Sequence, residues 1–251
     1  MGNNDLLILG HRGCTAITKE PENTSSTVVN GGKPKPVIIE NTLESFQNAV
    51  NLGADGFELD IQLTQDGYLI VFHDFSLPNG ERIHATSFDN LPSFIPTLNQ
   101  VVEMFQSTTI NIEMKCGTTD SENNIPLELI KFLNSQSDQL NELDLIVTSF
   151  SLNAVRKLSE IKRDINFKFG LLVSPNTANN LNYIHEISGL TYVVAHWAMV
   201  NSDMIDLADK YGLRIICWTV NEAVEMIRLR ALRVAGIITD DTELALKVLR
   251  P

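Results

Sequence analysis

Cysteine, basic residues and long apolar runs are all scarce in this sequence. Its three cysteines, Cys14, Cys116 and Cys217, show no paired spacing, which argues against a disulfide framework and predicts reduced thiols in a cytoplasmic protein. The 19 Lys and Arg residues are outnumbered by 31 Asp and Glu residues, leaving a net charge of −12. Because nucleic acids and anionic membrane surfaces attract an excess of basic residues, we expect neither as a principal partner.

The apolar runs are equally limited. None approaches the ~20 residues that span a membrane, and the opening MGNNDLLILG carries no basic leader, so we expect no signal peptide and no stable membrane association. The composition, 43% hydrophobic and 20% charged over 251 residues, is that of an ordinary globular protein. No linker or internal repeat divides the chain, so we expect a single domain over residues 1–251. The sequence leaves the oligomeric state open.

Strand and helix patterns alternate along the whole chain, which predicts a parallel sheet with helical crossovers. Runs such as Leu6–Gly10 are typical of strands buried on both faces, and stretches such as Leu43–Leu52 and Leu181–Ile187 predict helices. Of nine strand candidates, the second and third are joined by the Asp66-Gly67 turn, which is too short for a crossover helix. We therefore predict an α/β fold, a (β/α)8 TIM barrel that is irregular near strands 2 and 3. An open doubly wound sheet is the alternative, but no Gly-x-Gly-x-x-Gly supports it.

Charged side chains concentrate where the early strand candidates end. Because active sites of TIM barrels form at the C-terminal ends of the strands, we expect these side chains to meet. They are His11 and Arg12 after the first strand, Glu58 and Asp60 on one face of the second, His73 after the third, and Glu113 and Lys115 on one face of the fourth.

The residue types in this set suit hydrolytic chemistry on a phosphate. Three carboxylates without a thiolate are ligands for a hard divalent cation, Mg²⁺ or Ca²⁺. Two histidines can serve as general base and general acid, and Arg12 and Lys115 can bind a phosphoryl oxyanion. Taken alone, the Glu58/Asp60 pair also fits a half-solvated strand. It indicates a cation site only because the other charged side chains are expected to meet it at the same end of the barrel.

Ordered motifs extend this pattern over most of the chain, and together they resemble the glycerophosphodiester phosphodiesterase family, within the larger group of phosphatidylinositol-phospholipase-C-like phosphodiesterases. The resemblance runs from His11 to about Asp240. Its motifs are HRG at 11–13, ENTLESFQNAVNLGADGFELDIQLTQDG at 40–67, VFHD at 71–74, IPTL at 95–98, NIEMK at 111–115, CWTVN at 217–221 and GIITD at 236–240.

The resemblance implies a metal-dependent hydrolysis of glycerophosphodiesters to glycerol phosphate and an alcohol. By this resemblance Glu58, Asp60 and Glu113 bind the metal, and His11 and His73 form the acid–base pair. It does not say which histidine is the acid, nor whether water or a neighbouring hydroxyl of the substrate attacks phosphorus. The preferred alcohol and the choice between Mg²⁺ and Ca²⁺ also stay open.

The same resemblance assigns binding and supporting residues. Arg12 and Lys115 contact the phosphate, and Trp218 looks like an aromatic wall against the glycerol or alcohol part. Glu40 and Asn41 look like supports for the first histidine and for the metal shell.

An insert separates the HRG and ENT motifs, which usually lie close together in the family. We interpret residues 14–36 as a mobile loop over the face that carries His11; a disordered segment without a function is the open alternative. The insert contains a second Glu-Asn pair, Glu22-Asn23, which we reject as the family motif because breakers follow it, whereas a helix pattern follows Glu40.

Two other functions compete with this reading. A lysophospholipase D on the same scaffold would need an apolar acyl groove and access to a membrane, and no basic patch or amphipathic anchor is evident. A non-catalytic barrel would lack at least one of the proposed catalytic residues, and none is missing.

Overall fold

The computed structural model describes residues 6–14, 38–119, 123–136, 143–162 and 166–250. Strands and helices alternate along these residues. The strands are β1 (Leu7–Gly10), β2 (Gly56–Leu63), β3 (Leu69–Val71), β4 (Thr109–Met114), β5 (Asp144–Ser149), β6 (Lys168–Val173), β7 (Tyr192–His196), β8 (Arg214–Trp218) and β9 (Gly236–Thr239). Within the described ranges, no helix is both long enough and apolar enough to cross a lipid bilayer.

Eight strands pair in parallel in the order β1-β9-β8-β7-β6-β5-β4-β2, and the pairing of β1 with β2 closes the sheet into a barrel. The predicted (β/α)8 TIM barrel is therefore confirmed. The ninth strand, β3, lies antiparallel to β2 with Val71 opposite Ile61. Gly67 adopts φ 89° in the turn between them, so the irregularity lies where the short turn predicted it.

The helices pack around the outside of the barrel. They are α1 (Leu43–Leu52), α2 (Leu98–Met104), α3 (Ile125–Ser135), α4 (Leu152–Ile161), α5 (Ser202–Lys210), α6 (Ala223–Ala231) and α7 (Thr242–Leu249). Thr42 caps α1 by accepting from the Ser45 N–H at 3.2 Å, and Thr97 caps α2 in the same way. Because Thr42 provides the cap, the side chain of Asn41 is available to the site.

One predicted helix is wrong. The segment around Leu181–Ile187 belongs to a run of 3₁₀ turns over Pro175–Glu186. The run contains four asparagines, a residue type of low helix propensity, and Ile184 is its only buried residue. Without a continuous apolar face, packing on the barrel does not favour an α-helix here.

Alternation along the strands separates the outer core from the barrel interior. On β2, Phe57 and Ile61 are fully buried toward the helices, and the Phe57 ring stacks on Phe46 at 4.3 Å. Glu58 and Asp60 alternate with them and point inward. The apolar part of the interior is a separate cluster made of Leu9, Ile146, Leu172, Tyr192, Val194, Ile216, Ala235 and Ile238.

The insert lies outside the described residues, apart from Cys14 and residues 38–39. The predicted loop over the His11 face and the rejected pair Glu22-Asn23 therefore stay predictions. Cys14 and Cys217 are buried, and Cys116 is partly exposed.

Candidate active site

A tight turn after β1 presents His11 and Arg12 at the mouth of the barrel. Arg12 adopts φ 53° and Gly13 φ 89°. A Cβ on Gly13 would lie 2.4 Å from Ser45 Oγ, so only glycine fits between this turn and α1. The His11 N–H donates to the carbonyl of Thr239 at 2.8 Å, which joins the turn to the end of β9.

His11 is held by a carboxylate from the far end of the chain. Its Nδ1 lies 2.7 Å from Asp240 Oδ1. Asn221 holds that carboxylate in turn, because its Nδ2 donates to Asp240 Oδ2 at 2.7 Å while its Oδ1 accepts from the Asp240 N–H at 2.9 Å. Burial lowers the pKa of His11, but the hydrogen bond to Asp240 and the charge of Glu58 outweigh burial and raise it above its usual value. Since Nδ1 is engaged, Nε2 is the ring nitrogen that can exchange a proton with a ligand.

The three predicted metal ligands form one buried cluster. Oxygen atoms of Glu58, Asp60 and Glu113 all lie within 4.8 Å of one another. Burial and then the charge of Asp60 raise the pKa of Glu58 to about 8 and that of Glu113 to about 7. Burial also acts to raise the pKa of Asp60, but Lys115 and Arg12 outweigh it and hold that pKa below its usual range. Hard oxygen ligands that repel one another in this way fit a divalent cation, which would relieve the repulsion.

Two cationic side chains border the carboxylate cluster. Lys115 Nζ lies 2.9 Å from Glu113 Oε1 and 3.6 Å from Asp60 Oδ1. Arg12 Nε lies 3.4 Å from Asp60 Oδ2, and Arg12 Nη1 lies 2.7 Å from Glu40 Oε1. Both charges are thus anchored on carboxylates at the edge of the site, where an anion beside the cation would meet them.

The ENT motif supports its neighbours through direct contacts. Asn41, in the left-handed conformation with φ 57°, donates from Nδ2 to Asp60 Oδ2 at 2.9 Å and accepts from the Asp60 N–H at 3.3 Å. Glu40 contacts Arg12, whereas the carboxylate partner of the first histidine comes from the end of β9. The expected support for the carboxylate cluster is therefore seen for Asn41, and Glu40 acts on the arginine.

His73 lies on the loop that follows β3. Its Nδ1 is 2.6 Å from Oδ1 of the adjacent Asp74. Gln62, two residues after Asp60 on the same face of β2, donates from Nε2 to the carbonyls of Phe72 at 2.8 Å and Asp74 at 2.6 Å. Burial lowers the pKa of His73, and the charge of Asp60 opposes this without cancelling it. Gln62 thus connects the loop that carries His73 to the strand that carries the candidate metal ligands Glu58 and Asp60.

These groups surround a cavity of about 230 Å³ at the barrel mouth. Its charged wall and its uncharged wall come from different strands. The lining residues are His11, Arg12, Glu58, His73, Asn111, Glu113, Lys115, Thr148, Phe150, Leu172, Trp218 and Ile238.

The uncharged wall is built around two aromatic rings. Trp218 is fixed by its Nε1, which donates to the carbonyl of Val194 at 3.1 Å. The Phe150 ring meets it edge to face at 5.3 Å between centroids. Leu172 and Ile238 complete the apolar surface, which offers shape and dispersion contacts to the uncharged part of a ligand.

The structure thus brings together every residue that the sequence singled out for the site. Seven line the cavity, and the other three, Asp60, Glu40 and Asn41, contact those seven or one another. Sequence reasoning missed Asp240 and Asn221, although both end quoted motifs. It also missed Gln62, whose i+2 spacing from Asp60 places it on the same strand face.

The groups in this cavity can perform the tasks found in enzymes that cleave phosphate esters with a divalent cation: carboxylates can hold a cation, cationic side chains can bind an anion, and histidines can transfer protons. Fold and site together define a TIM-barrel phosphodiester hydrolase.

The chain belongs to the glycerophosphoryl diester phosphodiesterase family, which matches residues 11–244. It is 28% identical over 233 residues to a glycerophosphodiester phosphodiesterase of Caldanaerobacter subterraneus, covering 85% of this chain and 93% of the relative. It is 25% identical over 256 residues to a mouse lysophospholipase D, covering 80% of this chain and 79% of the relative. A phosphodiesterase from Oleispira antarctica, solved in complex with the product sn-glycerol-3-phosphate, shares the fold with a TM-score of 0.77 at 18% identity, covering 98% and 97% of the two chains.

Proposed function

We propose that this protein hydrolyses glycerophosphodiesters, such as glycerophosphocholine or glycerophosphoethanolamine, to glycerol phosphate and an alcohol. The observation that carries the proposal is the meeting of three carboxylates, two histidines and two cationic side chains around one cavity. Membership of the family and the names of the relatives support it.

The cation would be held by Glu58, Asp60 and Glu113, whose oxygen atoms are close enough to share one ion. Either Mg²⁺ or Ca²⁺ suits this all-oxygen set. When bound, such an ion offsets negative charge on the phosphoryl oxygens.

The remaining steps belong to side chains of the protein. Arg12 and Lys115 bind and orient the phosphodiester, and they stabilise the negative charge that grows on its oxygens in the transition state. A new P–O bond forms to the nucleophile while the P–O bond to the alcohol breaks. One of His11 and His73 takes the proton of the nucleophile, and the other gives a proton to the departing alkoxide. The uncharged wall, including Trp218, excludes water and packs against the carbon atoms of the substrate.

The direct test is a panel of glycerophosphodiesters assayed for release of sn-glycerol 3-phosphate, with Mg²⁺, with Ca²⁺ and with chelator. We expect turnover with a divalent cation and its loss in the Asp60→Asn variant. Glu103→Gln, which neutralises an exposed carboxylate on α2 outside the cavity, should retain full turnover. Undiminished activity after complete removal of the cation, or of the Asp60 carboxylate, would refute the metal-dependent mechanism.

Lysophospholipid hydrolysis is the second candidate, favoured by the apolar wall of Phe150, Leu172, Trp218 and Ile238. The similarity to the mouse lysophospholipase D is consistent with it. Assaying lysophosphatidylcholine beside glycerophosphocholine separates the two, because turnover of the soluble diester alone supports the first function and turnover of the lysolipid supports the second.

A further inference from the structure

Asn111 is a buried polar residue of the cavity that the proposed mechanism does not use. It lies on β4 beside Glu58 of β2 in the parallel pairing and two residues before Glu113. Its side chain is 1% exposed, and it lines the cavity together with both carboxylates. It therefore belongs to a deeper layer of the same wall as the Glu113 carboxylate.

The amide of Asn111 is held on one side and unpaired on the other. Its Oδ1 accepts from Thr148 Oγ1 at 3.1 Å, and Thr148 is itself fully buried. Its Nδ2 is buried without a hydrogen-bond partner. A buried donor without an acceptor is unfavourable, and such groups in native proteins call for an acceptor that the free protein lacks.

Asn111 lines the cavity, so a ligand that fills the cavity can supply the acceptor. Thr148 fixes the amide plane, so the N–H groups are preorganised before a ligand arrives. The ligand of this site, under the proposed function, is a phosphodiester with phosphoryl and hydroxyl oxygens. Either kind of oxygen can accept a hydrogen bond from a neutral amide.

We propose that Asn111 is a further substrate-binding residue, which donates from Nδ2 to an oxygen of the bound phosphodiester, and that Thr148 is its positioning residue. The inference rests on the proposed function of this cavity. It adds a neutral, directional donor to the charged groups Arg12 and Lys115. Such a donor selects for the position of one oxygen atom, whereas the two cations attract any anion.

The test uses Asn111→Leu, which keeps the approximate shape of the side chain and removes the donor. We expect KM for a glycerophosphodiester to rise and the affinity for sn-glycerol 3-phosphate, measured by calorimetry in the presence of the cation, to fall roughly 10-fold. The affinity for the cation alone should stay within about twofold of the unsubstituted protein, since a contact with substrate contributes nothing before substrate binds. Inorganic phosphate is the second probe: an equal loss places the acceptor on the phosphoryl group, and no loss places it on a glycerol hydroxyl.

Thr148→Val tests the positioning role. Alone it should weaken binding of sn-glycerol 3-phosphate by less than Asn111→Leu does, because the amide is released but still present. Combined with Asn111→Leu it should add nothing, since Thr148 acts through the amide. Thr109→Val is the matched control: it removes a buried hydroxyl two residues earlier on the same face of β4, outside the cavity lining, and should leave both affinities unchanged.

Three results would overturn the inference. Unchanged KM and product affinity in Asn111→Leu would show that the donor meets no substrate atom. A lower affinity for the cation in Asn111→Leu would make the amide oxygen a cation ligand instead. Additive effects of Thr148→Val and Asn111→Leu would exclude the positioning role. Failure of the proposed function is distinct, because it appears as absent turnover in the unsubstituted protein.

Discussion

The charged and uncharged walls of the cavity come from different arcs of one barrel. Adjacent strands β1, β2 and β4, with the β3 loop, supply all the charged lining residues, while β5, β6, β8 and β9 supply Thr148, Phe150, Leu172, Trp218 and Ile238. Reactive groups are thus concentrated where the barrel is irregular, and regular strands build the surface for the uncharged part of the ligand.

Burial has opposite consequences on the two arcs. On the charged arc, burial shifts the pKa of every titratable lining residue. The carboxylates and the cationic side chains therefore stabilise one another, and the proposed cation would stabilise the carboxylates further. On the uncharged arc, burial stabilises apolar side chains at about 25 cal/mol per Å² of surface removed from water. The first arc is thus arranged for chemistry at some cost to stability, and the second contributes to stability directly.

The largest expected effect is on the charged arc. His11→Gln and His73→Gln should each lower kcat by roughly 10²- to 10⁴-fold, because each removes a proton-transfer group. Steady-state kinetics with glycerophosphocholine measures this. His185→Gln, at an exposed histidine on the 3₁₀ segment, is the control and should be neutral. Near-normal kcat in either active-site variant would remove that histidine from the acid–base pair.

Cation binding should depend on pH because two of the carboxylates hold protons in the cation-free protein. With the pKa of Glu58 raised to about 8 and that of Glu113 to about 7, the cation must displace protons at pH 6 but few above pH 8. We expect the affinity for the cation to rise roughly 10²- to 10³-fold from pH 6 to pH 8, with proton release. Calorimetry in two buffers of different ionisation enthalpy measures the affinity for the cation and the number of protons released. An affinity that does not change between pH 6 and pH 8 would contradict the raised pKa values.

The same two groups also contribute to how stability depends on pH. Their folded-state pKa values lie above the ordinary value of 4.5, so their contribution is fully present below that value and is lost as pH rises through about 7 and about 8. The cation-free protein should therefore lose stability over this window, and a cation should raise Tm more at pH 8.5 than at pH 6. Equal shifts in Tm at the two pH values would argue against a cation at this cluster.

Asp240→Asn should have an intermediate effect. Asp240 holds His11 from a partly buried position, whereas Asp74, which holds His73, has a side chain 73% exposed to solvent. We expect kcat to fall roughly 10-fold or more in Asp240→Asn, and less in Asp74→Asn, because solvent screens the exposed pair. Losing the Asp240 charge should also lower the pKa of His11, which shifts the corresponding limb of the pH–rate profile to lower pH. Equal losses in the two variants, or an unshifted limb, would mean that Asp240 does not tune His11.

The smallest effect belongs to the uncharged arc. Phe150→Leu should change KM by roughly two- to tenfold, with the size depending on the alcohol, because it alters apolar contacts and the support of Trp218. The affinity for the cation should not change. Comparing KM for glycerophosphocholine and glycerophosphoethanolamine measures the preference for the alcohol. A large fall in kcat for both substrates would show that the uncharged arc also affects the chemical step.

Local patterns were sufficient to predict much of the fold. Strand and helix periodicity predicted the barrel, and the short Asp66-Gly67 turn predicted the antiparallel β3. The 3₁₀ segment over Pro175–Glu186 was missed because its apolar spacing resembles that of an α-helix. Its asparagines have low helix propensity, and only Ile184 in it is buried, so packing does not stabilise an α-helix there. The carboxylate set was predictable because i, i+2 spacing in a strand determines a shared face whatever surrounds it.

The sequence alone was sufficient to predict the histidines, the metal-binding carboxylates and the cationic side chains of the site, because their types and their positions on or just after the strands suit a phosphodiester. It did not indicate Asp240, Asn221 or Gln62. The tertiary structure decided which of them touch. Barrel closure brings Asp240 to His11 across 229 positions of the chain. The register of β4 and β5, which pairs Glu113 with Thr148, brings the Thr148 hydroxyl within 3.1 Å of Asn111 Oδ1. Local propensity carries no information on such pairs, because the separation of two strand ends depends on how the whole sheet closes rather than on the residues of either strand.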